Sequence, residues 1–583
     1  MFGSPWATFL IAAPVLLFFG LLVLLVLQTE HTMSTTLFPK VQSLLATIAA
    51  ISGFGSAASA QSVDVSWYPP AQSQINRNFT QLLHSEGTWG FIYDSSETPD
   101  GEYGTYNWCN MPHVRKTEYV KPSHEYELQY VELIHRHHKR TPYSSNAFPV
   151  EPYRWDCDEQ GLFYYGESLD GTQHSARTYW KVYISPVNPF VPSGWIGTCQ
   201  FPQITTEGLD DSYVHGADLF QVYHDLLGFL PGRDDEDWPT KVKYRVTNNQ
   251  ITSQVAGLLI RGMWGDAAAD RIGLAIQASA VDSLEPRYSC PAGSSLFNRI
   301  RSRDNPRWAA HLRAAGDLYT VLDDLAGVPA DNEGFHASFD PYYDNLSARQ
   351  CHGKPLPCKL LVEGDGDGDG DQDQDQDEDP GQQQCITQDL ADTVYRIGNW
   401  EYSHIYRDSP ETLAASAATY GVWLAELAAH LRDVVDGRRH DDDDDDNGNA
   451  IYYHNIAHDG SVSRLLSFLQ LDTMVWPGMG AEVVFELYRK RTGDAAPSSS
   501  VSSSPAPTSG CCGGSRPSAR TTRRENESES GWYVRVLFGG QLFKSSSPTL
   551  GLLDMIPIET LLAYFDGLVG ENASLVKENC GFR

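Results

Sequence analysis

Residues 131–143 read "VELIHRHHKRTPY". An apolar run that starts at Leu128 ends in three histidines and two arginines within positions 135–140, and a proline follows at 142. The run predicts a buried strand over 128–134, closed by its charged and proline punctuation. Strand ends are where α/β folds place ligands, so a cationic knot there predicts an anion site. Two plainer readings compete with it: a metal-binding histidine tract and a solvated charged turn. The metal reading finds no carboxylate or thiolate at ligand spacing nearby.

The knot stands out against an acidic chain of 583 residues with formal net charge −32. Nine carboxylates in 365–379 and six in 441–446 supply 15 of that excess, so the charge is largely local. The remainder gives no basic face for a phosphate backbone, which argues against a nucleic-acid partner. Three low-complexity insertions, 364–384, 440–449 and 493–530, lack the apolar content to fold by themselves. The first opens like a calcium loop at Asp365, Asp367, Asp369 and Gly370, but Gln376 holds the twelfth position, where a bidentate Glu is required.

The N-terminus points out of the cytosol. Residues 33–60 have the lysine, apolar run and small-residue ending of a signal peptide cut before Gln61. Residues 8–27 are long and apolar enough to span a bilayer. Residues 1–32 are therefore either an upstream extension or a membrane anchor. Four sequons follow, at Asn78, Asn345, Asn526 and Asn572, and are read as N-glycan acceptors. Ten cysteines with no C-x-x-C pair favour disulfides over zinc in an oxidising compartment. Cys109, Cys157, Cys199, Cys290, Cys351, Cys358, Cys385 and Cys580 lie in folded-looking sequence, in a connectivity that spacing cannot decide; Cys511 and Cys512 lie in a Ser/Gly-rich stretch.

Helical spacing recurs at 211–231, 249–264, 308–326, 387–397 and 411–435, and further strands are expected at 450–456 and 532–542. Helices in the middle and strands at both ends predict an α/β domain over 61–583, with its core at about 61–260 and 448–583 and a helical insertion at about 261–440.

The pattern Arg136-His137-x-x-Arg140-x-Pro142 resembles the R-H-G-x-R-x-P signature of the histidine acid phosphatases, the second branch of the histidine phosphatase superfamily. Four later segments resemble that family in the same order: "PQITTEGLDDSYVHGADLFQVY" (202–223), "YRVTNNQITSQVAGLL" (244–259), "HNIAHDGSVSRLLSFLQL" (454–471) and "WPGMGAEVVFELYRK" (476–490). The resemblance is closest to the acid-phosphatase-like proteins of fungi. It implies a phosphoglycerate-mutase-like central sheet flanked by helices, with an inserted helical domain. It also implies hydrolysis of phosphomonoesters without a metal or other cofactor. By resemblance His137 is the nucleophile, Arg136, Arg140, Arg245 and His458 hold the phosphoryl group, and Asp459 donates the proton. The residue types suit that chemistry. An imidazole can attack phosphorus and carry the phosphoryl group. Guanidinium forks match phosphoryl oxygens in pairs, and a carboxylic acid can protonate the departing alkoxide. One position departs from the signature: His138 stands where the family has Gly, as a possible pocket neighbour. That substitution keeps a second expectation open, a secreted or membrane-tethered glycoprotein that binds phosphate esters without turning them over.

Overall fold

The strand predicted at the cationic knot is the longest in the molecule's central sheet, Tyr126–Arg136 (β1). In the computed structural model the described residues are 63–582, less 71–77, 89–90, 93–105, 151–152, 159–161, 167–175, 186, 266–271, 361–382, 439–449, 475, 492–527 and 529. The segments 8–27 and 33–60, Asn526, Cys511, Cys512 and nearly all of the three low-complexity insertions lie outside them. Among the described residues, no helix is long and apolar enough to cross a membrane.

The sheet also holds Val242–Val246 (β2), Leu274–Ile276 (β3), Tyr452–Ala457 (β4), Glu482–Lys490 (β5), Trp532–Phe538 (β6), Gln541–Leu542 (β7) and Ile556–Pro557 (β8). Its order is β7-β6-β5-β1-β4-β2-β3, with β8 on β6. β1, β4, β2 and β3 run parallel, β5 is antiparallel to β1, and β6 is antiparallel to β5. The expected strand 532–542 is a hairpin: Gly539 and Gly540 both take positive φ, which a two-residue turn of this kind demands.

Alternation along β1 feeds two cores. Val131 and Leu133 pack with Leu219, Val255 and Ile456 on one face. Ile134 packs with Leu424, Leu466 and Val483 on the other. The first face is covered by Thr206–Phe220 (α1) and Gln250–Trp264 (α2). The second is covered by Pro410–Asp436 (α8), Asp459–Phe468 (α9) and Ile558–Val569 (α10). Burial on both faces explains why β1 reads as a continuous apolar run.

Between β3 and α8 the described residues form five α-helices: Pro291–Ile300 (α3), Pro306–Ala314 (α4), Gly316–Ala326 (α5), Asp340–Cys351 (α6) and Gln388–Tyr406 (α7). Four of these, α4 to α7, enclose their own core around Trp308, Leu322, Tyr342 and Trp400. Two pieces of the expected 261–440 insertion belong instead to the sheet layer: β3 adds a strand to the sheet, and α8 covers one of its faces. The expected helix 308–326 is two helices that meet at Ala315.

All eight cysteines of the folded-looking sequence pair, as Cys109–Cys351, Cys157–Cys199, Cys290–Cys580 and Cys358–Cys385. The last closes the stem of a small hairpin, Cys358–Leu360 against Gln383–Cys385. Of the sequons, Asn78 and Asn572 are exposed. Asn345 is not an acceptor in the folded chain. It is fully buried in α6, its amide donates to the Asn146 carbonyl at 2.9 Å, and its oxygen accepts from Arg349 Nε at 2.8 Å.

Candidate functional site

Three parallel strands end side by side. β1 ends at Arg136, β4 at Ala457 opposite it, and β2 at Val246 next to Ile456. The residues that follow, His137, His458 and Thr247, therefore emerge at one edge of the sheet. The His137 and His458 rings lie 5.5 Å apart, and His458 Nε2 is 2.9 Å from Thr247 Oγ1 and 3.5 Å from Glu285 Oε2. His458 caps α9 and Asp459 is its first residue, so the positive end of that helix faces the same space.

His137 is 1 % exposed. Its Nδ1–H donates to the His138 carbonyl at 3.0 Å, which leaves Nε2 as the unprotonated nitrogen. Burial first, then the charges of Arg140, Arg136 and His458, hold this imidazole well below its ordinary pKa. A neutral ring with a bare Nε2 is the nucleophilic form.

Arg136 stacks over Trp108 at 4.5 Å, donates from Nη1 to the Pro477 carbonyl at 2.7 Å and pairs through Nη2 with Asp459 at 3.1 Å. Arg140 donates from Nη1 to Asp344 at 2.9 Å and lies over the Tyr143 ring. Asp344 is itself fixed by the Tyr143 amide and by Asn146 Nδ2. The Nε atoms of both arginines are buried without a hydrogen-bond partner, so each guanidinium keeps a donor to spare.

Asp459 accepts from Trp476 Nε1 at 2.9 Å. Burial favours its neutral form, but Arg136, the Trp476 hydrogen bond, Arg140 and His458 outweigh it and hold the carboxyl below the usual range. Asp340, on the neighbouring wall, is pushed the other way, up to about 7, by burial and by Asp344, Asp459 and Glu401. Its side chain nonetheless faces open water on one side, which screens that shift.

The structure thus brings Arg136, His137, Arg140, His458 and Asp459 together, and it separates Arg245 from them. Arg245 lies opposite Asn455 and so sits short of the strand end. Its guanidinium donates to Glu426 at 2.7 Å, and to Gln277 and the Ser283 hydroxyl at 2.7 Å each. Those acceptors hold it on the α8 side of the sheet. Within the same R-x-T element it is Thr247, two residues on, that reaches His458. Thr247, Glu285, Asp344, Asp340 and Trp476 are the site residues that sequence reasoning passed over. Only Thr247 and Trp476 lay in segments already singled out; Asp344 and Glu285 come from the middle of the chain with no local signal.

His138 also leaves the pocket. Its side chain turns to the opposite side, where it is fully buried with Nε2 3.1 Å from His215 Nδ1. Gly480 makes room for it: with φ +73, it would place a Cβ 2.6 Å from His138 Cε1. His215 donates from Nε2 to Glu482 at 3.0 Å, and His135 packs beside both rings.

No protein-family description matches the chain. Among curated proteins, it is 23% identical over 373 residues to counting factor 60 of Dictyostelium discoideum, covering 62% of this chain and 76% of that protein. It is 24% identical over 409 residues to 2-phosphoxylose phosphatase 1 of Danio rerio, covering 68% of this chain and 74% of that one. Solved neighbours include the apo phytase of Hafnia alvei, with 11% identity, 78% of this chain and 99% of that chain covered, and TM-score 0.42. A second is the multiple inositol polyphosphate phosphatase of Bifidobacterium longum in complex with phosphate, with 12% identity, 75% and 92% covered, and TM-score 0.39.

Proposed function

We propose that this chain is a histidine-type phosphomonoesterase that works outside the cytosol. The observation that carries the proposal is the state of His137. Its Nδ1–H is fixed on a backbone carbonyl, its Nε2 is bare, and it stands between two buried arginines with Asp459 on Arg136. The similarity to 2-phosphoxylose phosphatase 1 and the five motif resemblances support the same reading.

The chemistry follows from those positions. Arg136, Arg140 and His458 bind the phosphoryl oxygens, and the N-terminus of α9 adds its dipole. His137 Nε2 attacks phosphorus as the bond to the leaving oxygen breaks, and Asp459 gives that oxygen its proton. Water then attacks the phosphohistidine, Asp459 takes back a proton, and phosphate leaves with the N–P bond electrons returned to Nε2. Asp459 is ionised in the free site, so it must gain a proton before it can act as donor. An arriving phosphate dianion raises its proton affinity.

Four disulfides and exposed sequons at Asn78 and Asn572 support an oxidising compartment and glycosylation there. A second reading, a phosphate-binding glycoprotein without turnover, is favoured by Arg245, whose absence leaves the pocket with two arginines. The test is rapid quenching with labelled aryl phosphate. Label should survive an alkaline quench, vanish in acid and be absent from His137→Ala. Acid-stable label, or turnover by His137→Ala, refutes the mechanism. Tight phosphate binding with no turnover from acid to neutral pH leaves the binder.

A further inference from the structure

Across β1 from the phosphate pocket lies a second cluster of imidazoles that the reaction does not use. We propose that His135, His138 and His215 bind a divalent transition-metal ion of the zinc class. One ring nitrogen from each of the three lies within 4.8 Å of the others, and all three residues are buried. Nitrogens bound tetrahedrally to zinc sit about 3.3 Å apart, and His138 Nε2 and His215 Nδ1 are already at 3.1 Å.

Two of the rings are anchored through their other nitrogen, as metal-bound histidines are. His215 Nε2–H donates to the Glu482 carboxylate at 3.0 Å, and His135 Nδ1–H donates to the Arg136 carbonyl at 2.7 Å. These bonds leave His215 Nδ1 and His135 Nε2 as the lone-pair nitrogens. His135 Nε2, the nitrogen left free by that bond, is buried without a hydrogen-bond partner, which a hydrogen-bonded core network leaves unexplained. Three imidazoles suit zinc, copper or nickel and do not suit calcium or magnesium. The residue that completes the set is the one that departs from the phosphatase signature, His138, seated in the gap over Gly480. The ion would tie the end of β1 to α1 and, through Glu482, to the start of β5, and so brace the strand that carries His137.

The test is metal analysis of the purified chain, produced with zinc and dialysed against a chelator to clear the surface carboxylates. About one zinc per chain should remain, because a buried ion acquired on folding is not stripped under native conditions. His138→Gly and His215→Gln should each retain less than about a tenth of that, and wild-type protein made in zinc-depleted medium should melt at a lower temperature. Cobalt in place of zinc gives a readout on the wild type alone: strong visible absorption from a tetrahedral nitrogen site is expected. Wild type with no retained zinc and a zinc-independent Tm, or variants that retain as much zinc as wild type, or cobalt with only weak octahedral absorption, overturns the proposal.

Discussion

Asp459→Asn should slow catalysis and tighten anion binding at once. In the free protein the Asp459 carboxylate occupies Arg136 at 3.1 Å. A phosphoryl group bound to the same guanidinium places an oxygen roughly 4–5 Å from that carboxylate. At an effective dielectric of about 20, two unit negative charges at that distance repel by roughly 4 kcal/mol. The Asp459 side chain is 23% exposed, and water screens part of that, so about a third of it, near tenfold in affinity, is the expected gain. Asn keeps the size and can still accept from Trp476, so the fold should hold. Turnover of alkyl phosphates should fall by about 10²–10⁴, and that of nitrophenyl phosphates much less, because the latter leave with little protonic help. Sulfate keeps its charge further into acid than phosphate does, so it gives the cleaner pH test. The carboxyl is held below the ordinary range by Arg136. Wild-type sulfate affinity should therefore rise more than the variant's as acid protonates Asp459. A variant that binds sulfate no more tightly than wild type at neutral pH, or that shows an unchanged leaving-group dependence, refutes both roles.

Arg245→Met should lower stability by about 2–3 kcal/mol, by leaving Glu426 without its buried partner, yet change phosphate affinity less than twofold; isothermal titration beside Arg140→Ala, expected to lose over about a hundredfold, checks it. Intact-mass analysis should show a glycan lost in Asn78→Gln and no mass change beyond the substitution in Asn345→Gln, which should instead melt at a lower temperature. Burial opposes the charge of His430, but its 2.9 Å contact with Glu132 outweighs that and raises its pKa. The pair's contribution is therefore full below the unfolded histidine value and is lost as pH rises through the folded one; His430→Gln should cost roughly 1 kcal/mol at pH 6 and less at pH 9 by urea unfolding.

The strand and the cationic cluster that ends it were legible because β1 is buried on both faces, which writes an unbroken apolar run, and because the cations begin where the run stops. Arg245 was misread for the complementary reason. Side chains alternate along β2, and only the place where the strand ends decides whether residue 245 or 247 reaches the pocket. Its own sequence does not mark that place; the pairing with β4 does. His138 poses the same problem of alternation, since adjacent histidines on an extended chain face opposite ways. The sequon at Asn345 is three residues of local pattern, whereas its burial is a property of how α6 packs. Asp344 and Glu285 reach the pocket from a helix and a loop more than a hundred residues from the knot, and no spacing rule connects them to it.

The Cys358–Cys385 bridge has a bearing on how this chain can change over generations. It holds the two sides of the acidic insertion at a fixed Cα separation of 3.9 Å. Whatever happens between those two cysteines, the flanking strands meet the body of the protein at the same points. A change in the number of Asp-Gly or Asp-Gln units between them would therefore be insulated from the fold. The bond also makes that segment safe to cut: a protease acting between residues 358 and 385 opens a ring without dividing the molecule.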